Sequence, residues 1–202
     1  MLGVDFDMSL AQGMIGRNFA DCSAMVRARY VAPYPVDALL AGWHAAYDAI
    51  VEREGLALKP GVHELLDWLE GAAIPAPWRH RPAATARAPK LAHTALLPRF
   101  HEVVGGDEVA FGKPAPDIYV EAARRLGASA ATCLVLEDSE PGVRAALAAG
   151  MMPIMVPDLI APSADLVALD LIVLPTLHDV SRIRHAPGLS VSQAAEWRPR
   201  LS

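Results

Sequence analysis

Two short stretches combine charged and small residues in patterns that could handle a phosphate or a divalent cation. The first is FGKPAPDIY, residues 111–119, where Lys113 stands between a glycine and a proline. Pro116 suits the first turn of a following helix, where its missing N–H would have no partner anyway. A lysine held at such a junction can offer a fixed positive charge to a phosphate or to a carboxylate cluster. The alternative is a solvated loop lysine. Lysine occurs only at 59, 90 and 113, and arginine carries most of the positive charge. The second stretch is LVLEDSEPGVRAALAAGM, residues 134–151, in which an apolar run ends in Glu137-Asp138-Ser139. Adjacent carboxylates at the carboxyl end of a parallel strand lie where open α/β sheets bind ligands. Their hard oxygens suit Mg²⁺. The alternative is a helix cap, with Asp138 or Ser139 accepting backbone N–H bonds.

Both stretches need a frame that brings strand ends and loops together, and the apolar periodicity supplies one. Residues 36–54 carry Val36, Leu39, Leu40, Trp43, Tyr47, Ile50 and Val51 at helical spacing, and Gly55 stops the run. A second helix follows Lys59-Pro60-Gly61, with Val62, Leu65, Leu66 and Leu69 on one face. Residues 9–29 read as one or two further helices, so the first 58 residues form a helical region. Thereafter short apolar runs at 102–104, 133–136, 152–156 and 170–174 alternate with helical stretches at 91–97, 116–126 and 141–149. That alternation predicts a parallel sheet flanked by helices. Residues 75–90 interrupt it with four prolines and three arginines, which predicts an irregular loop. The tail from Arg182 is polar and predicts no regular element.

In order and spacing the two motifs resemble the haloacid dehalogenase-like hydrolases, in the phosphatase and β-phosphoglucomutase-like branch. GKPAPDIY and EDSEPGVRAALAAGM are similar to the third and fourth motifs of that family. IGRNFAD, 15–21, looks like the turn by which the family's helical cap faces the active site. The resemblance covers 59–157 and, as a helical cap, 14–58; with the apolar pattern it gives a Rossmann-like α/β core over 59–181, a helical cap region over 1–58 and an irregular tail over 182–202. It implies a Mg²⁺-dependent phosphohydrolase or phosphosugar mutase acting on a small phosphorylated metabolite such as a sugar phosphate. The reaction expected is phosphoryl transfer through an aspartyl-phosphate. Lys113 matches the phosphate-neutralising lysine, and Glu137 and Asp138 match the acidic pair that holds Mg²⁺. Arg17 and Asn18 of the cap turn would be placed to meet substrate, the other reading being surface helix residues.

The chain departs from the family pattern at two places. Asp5-Phe6-Asp7 matches the spacing of the nucleophile and the acid–base carboxylate, but Met8-Ser9 follows where glycine and threonine are usual. The cap turn comes only ten residues after Asp5, so this segment also reads as cap interior, with Asp7 or Ser9 capping a helix. The second motif, a strand ending in Ser or Thr, is expected over 74–82, where the chain reads IPAPWRHRP; Thr85 is the nearest hydroxyl. These departures are read as a start inside the cap and a shifted reading frame over 76–89. They predict an incomplete core and impaired activity. The alternative is a catalytically inactive, truncated relative.

A chain of 202 residues fits one core with a smaller insert. Folding at that size buries about 70% of the surface exposed by the unfolded chain. Hydrophobic residues make up 53% and charged residues 20%, which describes a globular chain. A net charge of −5 argues against nucleic acid as partner. Only the segment holding Trp78, Arg79, Arg81, Arg87 and Lys90 has a composition that single strands would tolerate. Cys22 and Cys133 match no metal or redox spacing and read as buried, reduced thiols of a cytoplasmic protein. The seven histidines lack ligand spacing. The N-terminus has no basic region before its apolar residues, and no stretch approaches the ~20 apolar residues of a membrane helix.

Overall fold

The computed structural model describes residues 6–74, 76–80, 94, 96–169 and 171–183. Three helices open the chain. Helix α1 (Met8–Met14) begins at Asp7, whose carboxylate accepts from the backbone N–H groups of Ser9 and Leu10. Helix α2 (Phe19–Arg29) is capped by Asn18, which accepts from the Asp21 N–H at 2.8 Å. Helix α3 (Val36–Glu54) ends at Gly55, whose φ of 75° lies in the left-handed region that a side chain resists. Met14, Cys22, Val26 and Leu40 form the buried centre of this helical unit.

Only part of the predicted face of α3 is covered. Leu40 and Val51 are buried, whereas Tyr47 and Ile50 stand exposed. Val36, Leu39, Leu40 and Trp43, in its first turns, pack with the other two helices. The periodicity that located the helix therefore includes more residues than the packing buries.

Helix α4 (Val62–Gly71) starts at Gly61, where a Cβ would sit only 2.4 Å from the backbone nitrogen of His178. Strand β1 (Pro77–His80) then pairs in parallel with β2 (Glu102–Gly105), Pro77 opposite Glu102 and His80 opposite Gly105. This corrects the expectation of an irregular loop over 75–90. Proline is tolerated because Pro77 is the first residue of a strand at a sheet edge, where a missing ladder donor matters least. The rest of that segment, including Thr85, lies outside the described residues, as do 91–93 and 95. Where a helix was expected over 91–97, the described part is a 3₁₀ turn, Leu97–Arg99.

The remaining elements alternate as expected. They are α5 (Asp117–Leu126), β3 (Leu134–Glu137), α6 (Glu140–Ala148), β4 (Met152–Met155), α7 (Ala164–Val167), β5 (Ile172–Val173) and α8 (Leu177–Ile183). The last helix reaches two residues into the stretch expected to be irregular, and 184–202 lie outside the described residues. Strands β3, β4 and β5 pair in parallel in that order, with Leu134 opposite Met152 and Ile154 opposite Ile172. Strand β4 is buried along its whole length, as a strand covered on both faces should be. One core cluster joins the two sheet portions: Val104 of β2 and Val135 of β3 pack with Ile118, Tyr119, Ala122 and Ala123 of α5. A second joins Leu65 of α4, Ile154 of β4, and Leu177 and Val180 of α8. Both cysteines are free thiols, Cys22 buried and Cys133 half-buried, and burial pushes the Cys133 thiol up. No described helix is long and apolar enough to cross a membrane.

Candidate active site

Strand β3 delivers Glu137 to its carboxyl end, and the chain turns at Asp138 and Ser139 into α6. Glu137 is 7% exposed and Ser139 is 4% exposed, among the few buried polar side chains of the described residues. A buried carboxylate requires partners, and Glu137 has several. The Lys113 ammonium donates to Oε1 at 2.5 Å, and the Tyr119 hydroxyl donates to the same oxygen. Ser139 Oγ donates to Oε2 at 3.1 Å. Lys113 is thus no solvated loop lysine. Its side chain is 15% exposed, and its Nζ lies 5.5 Å from the centre of the Tyr119 ring.

The local sequence explains each placement. Phe111 N–H donates to Asp117 Oδ1 at 3.1 Å, which folds the 111–117 loop back on the start of α5. Ser139 occupies the N-cap position of α6, but its side chain makes no capping bond and serves Glu137 instead. Gly142 supplies the room, because a Cβ there would lie 1.9 Å from Glu137 Oε2. The helical region closes over this end of the sheet. Gly16, at φ 80°, passes so near Ser139 that a Cβ would sit 2.5 Å from its Oγ, and a Cβ on Gly112 would meet the Asn18 side-chain amide.

Asp138, unlike its neighbour, is exposed. It lines a cleft of about 240 Å³ between the end of α1 and the sheet, together with Gln12, Arg17, Arg144 and Ile160. Arg17 is held by its own Nε–H, which donates to the Gly13 carbonyl at 3.1 Å. Arg144 donates to Glu140 Oε1 at 2.5 Å and also reaches Asp165. Of the two cap-turn residues singled out in the sequence, Arg17 faces the cleft and Asn18 caps α2 against Gly112. Asp5 lies outside the described residues. Asp7 is engaged as a cap: Oδ1 accepts from Ser9 and Leu10, and Oδ2 accepts from Arg29 Nε at 3.1 Å. Its bonds to Ser9, then Arg29, lower its pKa to about 2.

The donor set fits a hard cation in a limited way. Mg²⁺ is held by one or two carboxylates, with water and phosphate oxygens completing its shell. Asp138 offers an exposed carboxylate to the cleft. No group of three or more His, Cys, Asp or Glu side chains suited to a metal occurs among the described residues. The sequence reading missed Tyr119, Ser139 and Gly142 as parts of this site. Their signal lies inside the same motifs, Tyr119 closing GKPAPDIY and Gly142 following EDSEP.

A family model for haloacid dehalogenase-like hydrolases matches residues 25–150. The chain belongs to that family, in its phosphatase and β-phosphoglucomutase-like branch. It is 32% identical over 158 residues to a bifunctional riboflavin kinase/FMN phosphatase of Arabidopsis thaliana, covering 78% of this chain and 41% of that protein. It is 37% identical over 172 residues to the mitochondrial (DL)-glycerol-3-phosphatase 1 of the same plant, covering 76% and 53%. The chain therefore spans about half the length of these curated relatives. In structure it resembles a family IA, variant 3 hydrolase of this class from Entamoeba histolytica. The TM-score is 0.72 at 19% identity, over 96% of this chain and 84% of the other. That likeness is one of fold.

Proposed function

We propose that this chain is a Mg²⁺-dependent phosphatase for small phosphorylated metabolites such as sugar phosphates. The observation that carries the reading is the meeting of Lys113, Glu137, Asp138 and Ser139 at the carboxyl end of β3, beneath the cap turn. Lys113 is fixed by Glu137 and offers a localised positive charge to phosphate oxygens. Asp138 would hold Mg²⁺, with Glu137 joining through Oε2 or a water; the cation would neutralise phosphate charge. Arg17 and Arg144 bring cationic groups to the cleft that Asp138 lines, which suits an anionic substrate. Both named relatives are called phosphatases, which supports the same class.

A second reading, binding of phosphate or Mg²⁺ without turnover, is favoured by one observation. Both oxygens of Asp7, the candidate acid–base carboxylate, are committed to helix capping and to Arg29. The deciding experiment is Mg²⁺-dependent hydrolysis of a generic aryl phosphate by the chain, by Asp5→Asn and by Asp138→Asn. Activity in the parent that is lost in both variants supports the phosphatase with Asp5 as nucleophile. A folded parent that hydrolyses nothing supports binding alone.

A further inference from the structure

Tyr119 is 1% exposed and lies in the core cluster with Val104, Val135 and Ala146, yet its hydroxyl reaches Glu137. A phenol buried among apolar groups needs an acceptor, and this one takes the oxygen that Lys113 also uses. Glu137 is thereby held from three sides: Lys113 and Tyr119 on Oε1, and Ser139 on Oε2. The carboxylate cannot rotate to follow the ammonium without breaking the bond to Tyr119. We propose that Tyr119 is a positioning residue, acting through Glu137 to hold the Lys113 ammonium at one place at the end of β3. The proposal deepens the phosphatase reading but stands on geometry that does not need turnover.

Tyr119→Phe removes only the hydroxyl and keeps the ring beneath the Lys113 ammonium, so packing and the ring contact survive. The primary readout is acylation of lysine amines at one fixed pH, followed residue by residue by mass spectrometry, with Lys59 as the internal reference. Lys113 should label slowly in the parent. In Tyr119→Phe its rate should rise by about tenfold, the factor that one bond to a charged group is worth, while Lys59 stays constant. A general loosening of the fold would raise both. In a Glu137→Gln background, Tyr119→Phe should add nothing further to Lys113 labelling, because the intermediary is gone. Unchanged Lys113 labelling in folded Tyr119→Phe, or an equal rise in both backgrounds, overturns the proposal.

Should Tyr119→Phe fail to fold, Ser139→Ala serves in its place. It frees Oε2 while Tyr119 still holds Oε1, so its effect on Lys113 should be smaller than that of Glu137→Gln. An effect as large would mean that Tyr119 holds nothing. If the parent hydrolyses aryl phosphate, Tyr119→Phe should also lower kcat by about tenfold with KM changed less than about twofold. If the parent hydrolyses nothing, the phosphatase reading fails and the labelling result still decides the role of Tyr119.

Discussion

The same substitution, glycine to alanine in a helix, should have opposite effects at two positions of this chain. Gly42 lies in α3, exposed, with nothing within 4 Å of the place its Cβ would take. Alanine there removes backbone entropy from the unfolded chain and meets no neighbour, so Gly42→Ala should stabilise by about 0.5–1 kcal/mol. Gly142 lies in the first turn of α6, where the same propensity gain applies. Its Cβ, however, would fall 1.9 Å from Glu137 Oε2 and 2.2 Å from the carboxyl carbon, where ordinary contact begins at 3.4 Å. The carboxylate must therefore move by roughly 1.5 Å, and its three partners hold it from moving. Losing even one bond to a buried charge costs about 1.5–3 kcal/mol, more than the propensity gain of about 1 kcal/mol. Gly142→Ala should therefore be net destabilising by about 1 kcal/mol or more. Urea unfolding of the three proteins, with slopes compared as well as midpoints, reads both effects. If Gly142→Ala unfolds at or above the parent midpoint, Glu137 is not held as described, and the reasoning fails.

Leu166 is fully buried against Val143 and Met155, so Leu166→Ala should cost about 2–5 kcal/mol in chemical denaturation. Val167, next to it and 58% exposed, should change stability by less than about 0.5 kcal/mol when made alanine, and equal costs at the two sites would contradict the packing of α7. Asp7 has its pKa lowered from 3.8 to about 2 in the folded chain, chiefly by Ser9 and then Arg29. A depressed folded pKa contributes stability above the unfolded value and loses it as pH falls. Between pH 4 and 2 the parent should therefore lose more stability than Asp7→Asn, and parallel acid-unfolding curves would show that the cap carries no such linkage.

The helical region was legible because local rules agreed there. The spacing from Val36 to Val51 and the stop at Gly55 located α3 at its observed bounds. The Lys59-Pro60-Gly61 turn likewise located the start of α4. Strand β1 was not legible, because its residues come from a proline-rich stretch and its pairing with β2 is decided by partners 25 positions away. At the site, Lys113, Glu137 and Asp138 could be found from residue type and order. Their unequal roles could not. Adjacent residues at a strand end point to opposite sides, and only the folded chain shows that Glu137 turns inward to Lys113 while Asp138 faces the cleft. The capping role of Asp7 was one of two readings, and the bond to Arg29, 22 residues later, adds the partner that sequence spacing could not supply.

The position of the site follows from how α5 is buried. Ile118, Tyr119, Ala122 and Ala123 form one face of that helix, and the same face covers both sheet portions through Val104 and Val135. Alanine at 122 and 123 lets the helix lie close to the strands. Tyr119, one residue along that face from Ile118, must then enter the core with its hydroxyl directed at the end of β3. Apolar burial thus places the phenol, the phenol accounts for one bond of Glu137, and Glu137 holds Lys113. A change that only loosens the packing of α5, with no atom near the carboxyl end of β3, should therefore reach the lysine through a chain of three contacts. The core and the Glu137–Lys113 pair share the same side chain, so neither can be altered independently of the other.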